Sequence, residues 1–226
     1  MSANLLVIFD CDGVLVDSEP IASRVMAESL SEVGYAITVD ACNERFKGMP
    51  MPDILKMVEE SWGRALPPDF AALIHERDFA AFRRELMPIP DVREAVEALP
   101  YAKCVASSGA PEKMQLTLTL TGLIELFEPH LFSAHMVENG KPAPDLFLFA
   151  ADTMGFPPQR CVVVEDSRPG VEAAVAAGMR TLGFTGGGHG RSGSADALRD
   201  AGATRTFSSM TELPGLLSNF LKDNVG

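Results

Sequence analysis

The chain is short of positive charge. Its 19 lysines and arginines face 31 aspartates and glutamates, for a formal net charge of −12 over 226 residues. That balance offers no electrostatic footprint for nucleic acid or for an anionic membrane. The acidity serves solubility, and an anionic substrate would need a local positive field built against it. Cysteine is sparse as well. Cys11, Cys42, Cys104 and Cys161 lie far apart and form no CxxC pair, which reads as buried free thiols in a reducing compartment. His75, His130, His135 and His189 fall in no metal-ligand spacing. No apolar run reaches the length of a bilayer, and the N-terminal one meets an acid too soon for a signal peptide; both point to the cytoplasm. No internal repeat is present. The one low-complexity segment, 185–193 (TGGGHGRSG), reads as a surface loop. It is not a dinucleotide fingerprint, because no strand-turn-helix with a following acid frames it.

What the chain does contain is apolar surface enough for a core, with 46% hydrophobic residues, and a length that suits one ordinary domain plus a smaller inserted one. Near-continuous apolar runs occur at 5–10 (LLVIFD), 103–107 (KCVAS), 131–133, 161–166 (CVVVED) and 180–184 (RTLGF). Runs without alternation suit strands buried on both faces of a parallel sheet. Helical patterns lie between them at 92–99, 111–120, 145–154 and 169–177. Strand and helix in alternation predict an α/β fold, a Rossmann-like open parallel sheet with right-handed crossovers. Residues 18–87 differ: no strand is evident, helices are predicted at 21–33, 53–61 and 69–84, and proline-rich breaks bound them. The expected organisation is a discontinuous α/β core, 1–17 and 88–226, interrupted by an all-helical cap, 18–87.

Ligands on such sheets bind beyond the carboxyl ends of the strands, and the polar residues of interest cluster there. Asp10-Cys11-Asp12-Gly13 follows the first run directly. A solvated turn would use the same residues. The alternative is chemical: a carboxylate is ionised at neutral pH and attacks phosphorus without a base, and an acid two residues on can protonate the leaving alkoxide and then activate water. Glu165-Asp166-Ser167 ends the fourth run. It fits an N-cap for the next helix and equally a magnesium site, since that ion takes hard oxygen ligands; the two uses are compatible. Ser107-Ser108-Gly109 offers a hydroxyl and backbone N–H groups at a helix start, a phosphate cradle or an ordinary turn. Lys141, in Gly140-Lys141-Pro142-Ala143-Pro144-Asp145, stands in a loop that two prolines stiffen, a source of the positive charge the acids lack.

Taken in order, DCDGVLVDSE, VASSG, GKPAPD and VVVEDS resemble the four motifs of the haloacid dehalogenase superfamily, subfamily I, with a helical cap after the first strand, and the resemblance covers essentially the whole chain. It implies a phosphatase in which Asp10 is the nucleophile and Asp12 the acid/base. Ser107, with Ser108 and Gly109, would bind the phosphoryl group, and Lys141 would stabilise nucleophile and phosphate. Asp10, Asp12 through its carbonyl, Glu165 and Asp166 would surround Mg2+. Dehalogenases proper lack the second aspartate, so Asp12 argues against dehalogenation. Cys11 stands where the family has an apolar residue and reads as packing. In the cap, Ser23-Arg24 and Arg45-Phe46-Lys47-Gly48, with Lys113-Met114-Gln115 of the core, are similar to the 6-phosphogluconate phosphatase group. Ala22 and Met51 depart from the β-phosphoglucomutase group, which has a histidine and an arginine there. Lys47 with Gly48, and after them Arg24 and Arg77, are the candidate substrate contacts of the cap. The expected partner is a small phosphate ester, a sugar or sugar-acid monophosphate, handled by a monomer or weak homodimer.

Overall fold

A computed structural model describes residues 5–46, 49–187 and 195–222, with side chains to 220. In chain order the elements are β1 (Leu6–Phe9), α1 (Glu19–Glu32), α2 (Val39–Phe46), α3 (Met51–Trp62), α4 (Phe70–Glu85), α5 (Val92–Glu97), β2 (Ala102–Ser107), α6 (Pro111–Leu120), β3 (Leu131–Ser133), α7 (Asp145–Thr153), β4 (Cys161–Glu165), α8 (Arg168–Ala176), β5 (Arg180–Phe184), α9 (Ala195–Asp200), β6 (Arg205–Phe207) and α10 (Leu213–Lys222). They fall into two compact units, Met1–Asp17 with Met87–Gly226, and Ser18–Leu86. No helix among the described residues is long and apolar enough to cross a membrane.

The first unit is built on a six-stranded sheet in the order β3-β2-β1-β4-β5-β6, every pairing parallel. β1 lies at its centre, with Leu6 opposite Ala102 on one side and Cys161 on the other. All four residues of β1 and all five of β4 are buried, as helices on both faces require, and that is why β1 carries no polar residue and β4 none before its last position. On one face Leu6, Ile8, Cys104, Cys161 and Val163 pack against Leu146, Phe147 and Ala150 of α7 and Ala173 and Ala174 of α8. The neighbouring residues of β1 point the other way, where Phe9 meets Phe127 edge to face at 5.6 Å. The sheet fits the α/β expectation. Its edge strand β6 and helices α2, α9 and α10 lie outside the patterns read from the sequence.

The second unit contains α1 to α4. Ile21, Val25 and Leu30 of α1 and Phe70, Ile74 and Phe82 of α4 are buried, the stripe of an amphipathic helix on each. Arg24 pairs with Glu28 and Glu85. Arg77 reaches Glu32 at 2.8 Å and the Ser29 hydroxyl at 2.9 Å.

The turn after β1 sets the first unit's polar end. Leu15 N–H donates to Cys11 O at 2.9 Å and Gly13 N–H to Val16 O at 2.9 Å, and Gly13 is left-handed at φ +78°. The segment is then tied to the returning chain, Asp17 N–H to Met87 O at 3.0 Å and Ile89 N–H to Leu15 O at 3.0 Å. A Cβ on Gly13 would fall on the Asp166 carboxylate, with Cγ at 2.8 Å. Gly178 has a similar φ of +72° with nothing within 4 Å of its Cβ position, so it isolates the backbone term. Gly178→Ala should cost about 1 kcal/mol in urea unfolding, and Gly13→Ala roughly 2 kcal/mol more. Adding Asp166→Ala to Gly13→Ala should recover most of that excess. Equal losses at the two glycines would mean that Asp166 does not press on Gly13.

Candidate active site

Asp10 is the first residue past β1 and still belongs to the sheet, because its N–H donates to Val164 O of β4 at 2.9 Å. β4 ends on Glu165, and Asp166 follows. Because β1 and β4 are neighbours, three strand-end carboxylates converge. Asp10, Glu165 and Asp166 are all buried, with ligand oxygens within 4.8 Å of one another.

Lys141 enters this group from the loop before α7. Its side chain is 4% exposed, and its ammonium donates to Asp10 Oδ1 at 2.7 Å and Glu165 Oε1 at 2.6 Å and to Ala106 O of β2 at 3.1 Å. These are three acceptors for three N–H groups. The Phe147 ring lies 4.9 Å away and adds a favourable quadrupole. Burial pushes the Asp10 carboxyl well above its usual range; Lys141 opposes that, while Glu165 and Asp166 reinforce it. Burial works against the Lys141 charge too, but Asp10 and Glu165 outweigh it and hold the ammonium above its ordinary pKa.

Glu165 is fully engaged. Oε2 accepts from Ser167 N–H at 2.8 Å and from the Ser167 hydroxyl at 2.9 Å, and the carboxylate lies so close over Gly170 that a Cβ there would overlap it. Ser167 is in turn the N-cap of α8, accepting from Gly170 N–H at 3.2 Å. Three carboxylates against one ammonium leave excess negative charge in a dry place. A donor set of clustered hard oxygens with that excess fits a divalent cation, and Asp10, Glu165 and Asp166 are the residues that could hold one.

The other side of the site comes from β2 and α6. Ser107 ends β2, buried, and its hydroxyl oxygen accepts from Gly109 N–H at 3.0 Å. Ser133, at the end of β3, donates to Gly109 O at 2.7 Å and fixes that loop from below. A Cβ on Gly109 would stand 3.3 Å from Ser107 Oγ and 3.5 Å from Asp12 Oδ2, so the hydroxyl and the second carboxylate border one small space. Asp12 is paired with Lys113 of α6 at 2.9 Å. Cys11 points away from this space to Thr117, at 3.8 Å. Burial, then Asp12 and Asp10, pushes its thiol well up, which disfavours the thiolate a nucleophile would need. All four cysteines are buried and free.

The structure thus brings Asp10, Asp12, Ser107, Gly109, Lys141, Glu165 and Asp166 to one end of the sheet, with Ser108 beside them and exposed. Arg24 and Arg77 lie in the helical unit, in the ion pairs given above. Lys47 and Gly48 lie outside the described residues, as do His189 and 188–194 of the glycine-rich segment. Two contributors had no signal of their own in the sequence. Ser133 closes a three-residue strand, and Lys113 carried only a segment similarity.

A protein-family model described as haloacid dehalogenase-like hydrolase matches residues 5–178. Among characterised proteins, the chain is 32% identical to the 6-phosphogluconate phosphatase of Escherichia coli K12, over 81% of this chain and 84% of that one. It is 32% identical to the phosphorylated carbohydrates phosphatase of Thermotoga maritima, over 78% and 82%. Among solved structures, a conserved haloacid dehalogenase-like protein of unknown function from Agrobacterium tumefaciens superposes with a TM-score of 0.86 at 40% identity, covering 96% of this chain and 98% of that one. A HAD family hydrolase from Deinococcus radiodurans with bound phosphate and sodium gives 0.80 at 33% identity, covering 97% of each. With the strand-end acids, the buried lysine and the sheet order in place, the chain belongs to the haloacid dehalogenase-like hydrolases.

Proposed function

We propose that this hydrolase is a magnesium-dependent phosphatase of small sugar or sugar-acid monophosphates, working through a phospho-aspartate on Asp10. The observation that carries the reading is the Lys141 ammonium seated between Asp10 and Glu165, with Asp166 completing an acidic cluster at the end of the central strands. The names of the relatives support the substrate class: 6-phosphogluconate, phosphorylated carbohydrates and, in a third at 32% identity, hexitol phosphate. The phosphate held by the Deinococcus neighbour supports phosphate binding at this site and says nothing of the sugar.

In this reading Lys141 aims Asp10 and, together with a bound cation, would favour its anionic form against burial, so that Asp10 attacks phosphorus directly. Asp10 and Asp166, with the Asp12 carbonyl and with Glu165 beside them, would hold magnesium, which supplies the positive charge that lets a carboxylate approach a phosphate dianion. Ser107 and the backbone N–H groups after it hold the phosphoryl oxygens. Asp12 gives its proton to the leaving alkoxide, then takes one from the water that cleaves the acyl phosphate. Glu165 acts through Lys141 and Ser167, holding both in place.

Asp10→Asn should lower kcat by about a thousandfold or more with an unchanged thermal melt. Residual activity above about a tenth of the parent would remove Asp10 from the nucleophile's role. Excess chelator should abolish turnover and magnesium should restore it, whereas calcium, with its looser coordination, should support binding and little reaction; full activity in chelator would contradict the metal assignment. A phosphate-release screen over phosphorylated metabolites, 6-phosphogluconate first, should find its best substrates among sugar and sugar-acid monophosphates. Phosphate, not an isomerised sugar phosphate, should be the product, because Ala22 and Met51 offer no side-chain donor for a second phosphate. Turnover confined to other phosphate esters, or isomerisation faster than release, would overturn this part.

A further inference from the structure

Among the described residues the site contains two lysines, and they are placed differently. Lys141 is 4% exposed and its ammonium meets Asp10, Glu165 and Ala106 O; no N–H is left for a ligand unless one of those bonds breaks. Lys113 stands in the first turn of α6, its side chain 27% exposed beside an Asp12 that is 21% exposed, Nζ to Oδ1 2.9 Å. Its Cδ lies 3.7 Å from the Cβ position of Gly109, the same point that Ser107 Oγ and Asp12 Oδ2 border. Among the described residues, Lys113 is therefore the lysine of this site that a substrate can reach without entering the dry triad.

Its position relative to the reacting bond follows from Asp12. A group that protonates a leaving oxygen must come within about 2.6–3.2 Å of it. With Lys113 Nζ 2.9 Å from Asp12 Oδ1, the ammonium and the leaving oxygen share the Asp12 carboxylate as a neighbour and lie within about 6 Å of each other if Oδ1 delivers the proton, or about 8 Å if Oδ2 does. A hydroxyl or carboxylate oxygen on the carbon next to the ester-bearing one is three bonds from the leaving oxygen, inside that radius. An ammonium offers three N–H groups in a flexible arrangement, so it can meet such an oxygen while keeping its bond to Asp12. Resting on the phosphatase reading, we infer that Lys113 is a specificity-determining residue on the leaving-group side, which selects phosphate monoesters bearing an oxygen substituent on the adjacent carbon over plain alkyl phosphates.

Binding without turnover tests this, because it separates recognition from any effect of Lys113 on proton transfer by Asp12. In the Asp10→Asn background with magnesium, calorimetry should give a Kd for 2-hydroxypropyl phosphate about tenfold tighter than for propyl phosphate, an ester of the same length that lacks only the neighbouring hydroxyl; a hydrogen bond to a charged group supports that ratio. Adding Lys113→Met should bring the ratio close to one, and adding Lys113→Arg should keep most of it. A ratio that survives Lys113→Met, or that is already near one with Lys113 present, overturns the inference and leaves the phosphatase reading standing. Failure of the unsubstituted protein with magnesium to bind inorganic phosphate or to release it from any phosphate monoester removes the phosphatase reading, and this inference with it.

Discussion

Lys141 holds its ammonium against Asp10 and Glu165 where water scarcely reaches, and the polar end of the sheet is arranged around that contact. A buried cation and two buried carboxylates are each costly alone. Here each compensates the other: the ammonium has three acceptors, Glu165 has Ser167 on its second oxygen, and Ser167 caps α8. Removing the ammonium would strand both carboxylates, at a cost of about 3–5 kcal/mol, whereas neutralising Asp10 leaves Lys141 paired with Glu165. The triad also bears on the charge of Asp10, whose pKa burial raises. The fixed ammonium offsets part of the burial, and the remaining negative charge of Asp10, Glu165 and Asp166 suits a divalent cation.

The fold brings these groups together through strand order. From β1 the chain proceeds to β2 and β3 on one side of the sheet and to β4, β5 and β6 on the other, so β1 and β4 flank the point where the order reverses. Helices and loops diverge there and open a crevice at the strand ends. Asp10 leaves β1 and Glu165 and Asp166 leave β4 at that crevice. Gly13 lets the chain turn away at once and leaves the space that Asp166 fills. Ser107 leaves β2 on the adjacent strand, and the Ser133 hydroxyl of β3 secures the loop behind it.

The strands of the inner sheet were legible because parallel strands covered on both faces must be continuously apolar: LVIF and CVVVE admit little else. The edge strand β6, Arg205–Phe207, was not, since three residues with an arginine among them look like any loop. Helix α2, Val39–Phe46, buries only Cys42 and Phe46, too few apolar positions to show a period. The acids at the strand ends drew attention because acids are rare in strands, and the motif order added what spacing alone could not. Partnerships were a different matter. Lys141 in its loop resembles a solvated lysine until the fold shows it buried, and Glu165 resembles one more metal ligand until both oxygens are seen to accept from Lys141 and Ser167. The pairing of Lys113 with Asp12 joins residues far apart in the chain, and no local pattern encodes it.

In the proposed mechanism an Asp10 carboxylate oxygen bonds to phosphorus, and one measurement addresses that directly. Wild-type protein mixed with magnesium and a slowly turned-over sugar phosphate, quenched in acid within a turnover and digested, should yield the peptide containing Asp10 heavier by one phosphoryl group, with the modification on Asp10 and its amount rising and falling on the time scale of a single turnover. Release of phosphate with no phosphorylated peptide at any time, or with the phosphoryl group on another residue, would contradict it.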